Sequence, residues 1–324
     1  GLLYDFLTKP SHFNELKIKK KIIHKKLDIT NLKKLHEVFK KHKPDLVFHL
    51  AAQSLVKKSY NNPVETYTSN TIGTLNLLEC IRKSNHKCSS VFITSDKSYK
   101  NLEIERGYHE NDLLGGIDPY SSSKASAELI IKTYFECFLK KNTKQRIAIA
   151  RAGNVVGGGD WSENRLIPDC VKSWSKNKKV FIRNPSSTRP WQHVLEALYG
   201  YLILAKRLNK NSNINGEPFN FGPKYSQNKS VLSLLKETKK NWKNVNWKLK
   251  KNKKNFYESK LLRLNSSKAK KYLGWTPNLN FEESIKMITS WYKNYLNKEI
   301  NIFNFSKIQI QEYSSKIKYI KRNN

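Results

Sequence analysis

The chain has no run of about 18 apolar residues, the length a membrane-spanning helix needs. No secretory leader is visible at its start, so a membrane partner is not expected. Cysteine is scarce, with only Cys80, Cys88, Cys137 and Cys170. None forms a C-x-x-C pair or lies near histidines at zinc-site spacing, so neither a metal nor a disulfide framework is expected. Free thiols in a reducing, cytoplasmic setting are. Acidic residues are also few: 26 Asp and Glu stand against 61 Lys and Arg, a formal net charge of +35. Such an excess raises nucleic-acid binding as a possibility. Yet lysine outnumbers arginine about five to one, and arginine is the residue expected to read bases and phosphates. The charge is spread along the chain, so we read a solvated lysine surface with no specific nucleic-acid partner, one that favours small anions.

What is present suffices for a core: 38% hydrophobic and 11% aromatic residues in 324, enough for one large α/β unit or two modest domains. Apolar runs at 45–52, 90–94 and 146–152 read as buried parallel strands. Helical patterns at 64–82 and 120–139 alternate with them, and the fold class is α/β, a doubly wound parallel sheet. Beyond Trp161 the pattern loosens. Helices are expected at 165–174, 192–208, 231–242 and 281–296, with a short strand at 179–183. We assign 1–160 to a dinucleotide-binding domain to which the helix within 186–208 returns. Residues 161–300, in particular 161–185 and 209–298, are assigned to a smaller substrate domain covering the cleft. Residues 301–324 are read as a basic tail.

Ligands of such sheets bind beyond the carboxyl ends of the strands. Gln53, Asp96 and Asn154 each sit just past a strand end. Tyr120 and Lys124 open a helix four residues apart, which puts them on one face. A lysine ammonium near a phenol lowers its pKa and prepares it to accept an alcohol's proton while hydride leaves the same carbon. Ser95 can hydrogen-bond the substrate hydroxyl or Tyr120. Asp96 is a candidate general acid and Lys97 a candidate base, although taken alone these two suit a solvated turn. An enzyme that only oxidises an alcohol needs no such second pair; one that also removes water does. Asp28, followed by Ile29, suits either an adenine contact or a helix N-cap. Arg183, Arg189 and His193 lie in one segment suited to a diphosphate. His49 reads as a packed core histidine.

No glycine-rich turn joins a first strand to a first helix. The strings HLAAQSLV, PVETYTSNTIGTLNLLE, TSDKSY, GYHENDLLGG, DPYSSSKASAEL, RAGNVVGGGDW, NRLIPDCV, IRNPSSTRPWQHVLEAL and KKYLGWTPN resemble the extended short-chain dehydrogenase/reductases, and within them the CDP-glucose 4,6-dehydratases. The dTDP-glucose relatives carry a glutamate where Lys97 stands, and Leu113 replaces a usual proline. The resemblance spans about 44–300; it leaves 238–254 and 301–324 uncovered. It implies that the first strand, the glycine-rich turn and the first helix precede Gly1, roughly 30–40 residues, and that without them the chain binds NAD poorly and tends to aggregate.

The resemblance further implies the cofactor NAD, contacted by Asp28, Ile29, Leu50, Ala51, Ala52, Gln53, Asn70, Tyr120 and Lys124. It implies that CDP-glucose is held by Ser54, Asn154, Arg165, Leu166, Arg183, Arg189 and His193. The implied reaction is oxidation at C4, loss of water across C5–C6 and return of the hydride to C6, giving CDP-4-keto-6-deoxyglucose. A homo-oligomer, dimer or tetramer, is implied, with a place in deoxysugar and lipopolysaccharide O-antigen synthesis. Two rivals remain: an epimerase or other dehydratase of the same fold, and an inactive basic binding protein.

Overall fold

The structure, a computed structural model, describes residues 1–5, 8–182, 184–243, 245–249 and 261–323. Four strands form a parallel sheet: β3 (Leu46–His49), β4 (Cys88–Ile93), β5 (Gln145–Ala152) and β6 (Pro218–Phe221), side by side in that order. Two shorter strands, β1 (Leu2–Leu3) and β2 (Lys25–Lys26), pair in parallel as a separate sheet. Parallel neighbours need long crossovers, and helices supply them. Side chains of β5 alternate: Ile147 and Ile149 enter one core, Ala148, Ala150 and Ala152 the opposite one. The first core holds α1 (Leu32–His42), α2 (Gly73–Arg82) and α3 (Pro119–Tyr134). Helix α5 (Val194–Lys210) and α7 (Ser267–Leu273) fill the other face, after α4 (Leu166–Trp174) and α6 (Val231–Asn241) in the chain. The sheet is thus wound on both sides, as the strand–helix alternation predicts.

Local chemistry sets the helix starts. Asp118 caps α3, accepting from the Ser121 amide at 3.0 Å, and Pro119 occupies the first turn, where no backbone donor is needed. Asn31 caps α1. Two helices expected to be continuous contain a wider π turn, Thr68–Ile72 before α2 and Phe135–Leu139 after α3. The first of these carries Asn70.

A further core is built by Trp161, Trp174, Trp191 and Trp291, drawing on α4, α6 and α8 (Phe281–Asn297). The covering unit assigned from sequence to 209–298 needs correction. Strand β6 lies within it yet pairs with β5, and α7 with Trp275 packs on the main sheet. The tail is ordered as α9 (Ile302–Asn323), whose Tyr313 and Ile317 pack on Leu279 and Met287. Cys80, Cys88 and Cys170 are buried and Cys137 exposed, all as free thiols. No helix among the described residues is long and apolar enough to cross a membrane.

Candidate active site

Ser95 follows the last residues of β4 and caps the short helical turn Asp96–Ser98. Its hydroxyl donates to Asp96 Oδ1 at 2.9 Å and accepts from the Lys97 amide at 3.2 Å. Asp96 is 3% exposed. Burial pushes its carboxyl above the ordinary range, against the pull of Lys97, Ser95 and Arg189. Gly153, just past β5, makes room for it: a Cβ there would lie 1.9 Å from Asp96 Oδ2. Next to it Asn154, in the left-handed region at φ 49, approaches the same oxygen at 3.5 Å.

Tyr120 enters from the start of α3, its amide held by Ser59 Oγ at 3.1 Å. The expectation that Lys124 lowers this phenol needs correction. Burial dominates and holds Tyr120 at about 12, with Ser95 the strongest opposing influence. Lys124 instead points its amine at the Ile93 carbonyl, 3.4 Å away, and burial brings it down to about 8.

The sequence gives no hint of how these groups are braced. Glu128, one turn beyond Lys124, accepts from Thr94 Oγ1 at 2.6 Å and Ser98 Oγ at 2.9 Å, and forms a buried ion pair with Arg151 of β5. Gln53 and Asn70 form a reciprocal pair: the Gln53 amide donates to Asn70 Oδ1 at 2.8 Å, and Asn70 Nδ2 donates to the Gln53 carbonyl at 3.0 Å. Asn70 also donates to Ser123 Oγ at 2.9 Å, which ties the loop after β3 to α3. Both residues therefore position neighbours, rather than presenting free groups to a ligand.

Between the strand ends and the second core lies a cleft of about 1140 Å³. Leu50, Ser54, Ser95, Asp96, Lys97, Tyr120, Asn154, Arg165, Leu166 and Arg189 all line it. Arg165 pairs with Asp160 at 3.0 Å and reaches Ser54 Oγ at 3.2 Å. Arg189 donates to the Thr188 carbonyl at 2.8 Å. Arg183 lies outside the described residues. His193 is corrected: it is 2% exposed, accepts from the Leu195 amide as the cap of α5, and is held near 4 by burial. Tyr201 of α5, not foreseen, is buried on the cleft wall; burial pushes its phenol up, and its closeness to Tyr120 and Asp96 adds to the rise.

Ala51, Ala52, Asp28 and Ile29 are not part of the cleft lining. Asp28 Oδ1 accepts from the Thr30 amide at 2.9 Å, while Asn31 caps α1, so the N-cap alternative for Asp28 is set aside. Ile29 packs on Gly73, where a Cβ would lie 2.4 Å from its Cδ1. His49 is buried, bonded to Thr74 Oγ1 at 2.9 Å and brought to about 3, as a packed core histidine. Among the described residues no group of three His, Cys, Asp or Glu is placed to hold a metal.

A doubly wound sheet with a strand-end serine and a helix-borne tyrosine and lysine defines the class of extended short-chain dehydrogenase/reductases. The model of the GDP-mannose 4,6 dehydratase family matches residues 7–288, and the chain belongs to that family. CDP-glucose 4,6-dehydratase of Salmonella typhimurium is 40% identical over 320 residues, 97% of this chain and 89% of that protein. Among solved structures, UDP-glucuronic acid 4-epimerase from Bacillus cereus, in complex with UDP-glucuronic acid and NAD, superposes with a TM-score of 0.76 at 21% identity, covering 91% of each chain. The dTDP-glucose 4,6-dehydratase from Bacillus anthracis, in complex with NAD, gives 0.73 at 23% identity, covering 94% of this chain and 89% of that one. These likenesses carry the fold.

Proposed function

We propose that the protein converts CDP-glucose to CDP-4-keto-6-deoxyglucose with NAD as a recycled cofactor. The observation that carries this reading is Asp96 beside Lys97 in the cleft that holds Tyr120, with the Asp96 carboxyl raised by burial. A carboxyl raised by burial is a better proton donor to a departing hydroxyl than an ordinary one, and an epimerase has no leaving hydroxyl to protonate. The nucleotide is taken as CDP from the 40% identity to the Salmonella enzyme.

The residues fit NAD. Leu50 stands 54% exposed past β3, an apolar shelf suited to a flat ring, and small Ala51 and Ala52 follow it. The buried Lys124 ammonium has three donors and, among the described residues, one weak acceptor, Ile93. That leaves capacity for ribose hydroxyls. Asp28 and Ile29 are assigned to the adenine end, with Gln53 and Asn70 holding the loop in place. NAD, when bound, would supply the hydride acceptor for C4 and the donor for C6, and Leu50, Ala51, Ala52 and Lys124 are the residues that would hold its nicotinamide end.

Tyr120 removes the proton of the 4-hydroxyl, guided by Ser95. The resulting ketone acidifies C5–H, and Lys97 takes that proton. Asp96 gives its proton to the 6-hydroxyl, which departs as water. Asn154, Arg165, Leu166 and Arg189 hold the nucleotide diphosphate sugar, and Arg183 is assigned there by sequence alone. We place the enzyme in the cytoplasm as a homo-oligomer that feeds deoxysugar and lipopolysaccharide assembly; the free thiols agree with a reducing compartment.

The test is to incubate purified protein with NAD and, separately, CDP-, UDP- and dTDP-glucose in deuterium oxide. We expect the CDP 4-keto-6-deoxy sugar with deuterium at C5 and no net reduced cofactor. Steady build-up of reduced nicotinamide, or a C4 epimer as product, refutes the reading.

A further inference from the structure

A second cavity, of about 330 Å³, shares no lining residue with the cleft. Arg106, Lys224, Arg263 and Lys270 line it with Tyr225 and Asn265, and no Asp or Glu does. Arg106 is already paired, with Asp112 at 2.8 Å. Arg263 is different. It is 7% exposed, and its guanidinium lies 3.9 Å from the centre of the Tyr225 ring. One terminal nitrogen donates to the Glu105 carbonyl. Its Nε has no hydrogen-bond partner among the described residues, and no carboxylate there pairs with it.

A guanidinium does not lose its proton in a protein, so burial cannot neutralise it. A buried charge without a counter-charge is unfavourable, and a cavity whose lining holds a buried guanidinium and no carboxylate favours an anion. Lys224 and Lys270 are exposed at the rim and add two positive charges, Lys224 lying close enough to Glu283 to help lower that carboxyl. Tyr225 remains 73% exposed although the arginine lies over it, so ring surface stays available for contact. The volume sits at the lower end of small-molecule sites, roughly 300–1,000 Å³, too small for a whole nucleotide sugar together with its solvent.

We propose that this cavity binds a small phosphate monoester, with the phosphate on Arg263 and the two rim lysines. The site is independent of the catalytic reading. Its neighbourhood links it to the cleft: Pro190 lines the cavity opposite Asn228, and the next residue of the same ribbon, Arg189, faces the cleft opposite Lys229.

The experiment is calorimetric titration of the full chain with inorganic phosphate, CMP and glucose 1-phosphate. It is done in an Arg189→Ala background so that cleft binding is weakened. We expect one saturable site to persist in that background. Lys224→Glu with Lys270→Glu, both at the exposed rim, is expected to weaken it at least tenfold while leaving the unfolding temperature within a few degrees. Arg263→Gln is expected to abolish it. The ranking of the three probes identifies whether a free phosphate, a nucleotide or a sugar phosphate is preferred. Loss of all saturable binding in Arg189→Ala, or binding unchanged by the paired lysine substitutions, overturns the site. CDP-glucose turnover, measured in parallel on the lysine variant, reports on the catalytic reading separately.

Discussion

Glu128 and Arg151 form an ion pair with both side chains almost fully buried, 1% and 3% exposed. It joins the helix that carries Tyr120 to the strand that leads into Gly153 and Asn154. Arg151 is further tied to Tyr99 at 2.6 Å and the Glu110 carbonyl at 2.9 Å, and the pairing holds the guanidinium above its usual range. Removing one member leaves the other charged and unmatched. Glu128→Gln should therefore lower unfolding free energy by about 3–5 kcal/mol. Urea denaturation measures it, and a loss below about 1 kcal/mol would show the pair to be dispensable.

Gly153 has a narrower role. A methyl group there meets Asp96 Oδ2 at 1.9 Å, so Gly153→Ala must displace the carboxyl. We expect kcat to fall at least about tenfold through misplacement of the acid, with the protein still folded by circular dichroism. Unchanged turnover would mean that the carboxyl position is not critical.

Lys97 and Tyr120 should fail at different steps. Lys97→Ala is expected to leave C4 oxidation intact and to block exchange at C5, so the reduced nicotinamide absorbance accumulates on the enzyme in a single turnover. Tyr120→Phe should suppress that absorbance, by about two to four orders of magnitude in rate. Deuterium entering C5 at the wild-type rate in Lys97→Ala would assign the base elsewhere.

Asp96 makes stability and catalysis oppose each other. Its folded-state pKa is raised above the ordinary 3.8, so between those two values the native state binds more protons than the unfolded one. The stability linked to that extra proton is present below the ordinary value and is lost as pH rises through the raised one. Asp96→Asn removes the ionisation. The variant should lose dehydration yet gain melting temperature relative to wild type at pH 8, with the gap closing near pH 3–4. Melting curves across pH check this; a variant less stable than wild type at pH 8 contradicts it.

Signals confined to neighbouring residues were legible. The strands follow breakers and carry short apolar runs, and Ser95–Asp96–Lys97, Tyr120 and Lys124 announce themselves by adjacency or one helical turn. What depends on distant partners was not. Nothing near Glu128 indicates that Arg151, 23 residues on, will meet it. His193 has the chemistry of a ligand, but one backbone amide claims it. Lys124 lies one turn from Tyr120, yet side-chain direction gives its amine to Ile93. Strand β6 was missed because Pro218 and Asn220 dilute a short apolar run, and only pairing with β5 defines it.

The last helix, α9, is a cover rather than a loose basic tail. Gln309, Tyr313 and Ile317 recur every fourth residue and are buried, and Tyr313 donates to Glu196 at 2.9 Å. The buried stripe faces the protein, while Lys316 pairs with Glu283 and the exposed Lys307 and Lys318 stand on the same helix as the exposed Glu312. The stripe shields Leu279 and Met287. Cutting the chain before Ile302 would uncover that apolar surface and take from Glu196 and Glu283 their partners Tyr313 and Lys316. Self-association through the bared patch would follow from the one deletion.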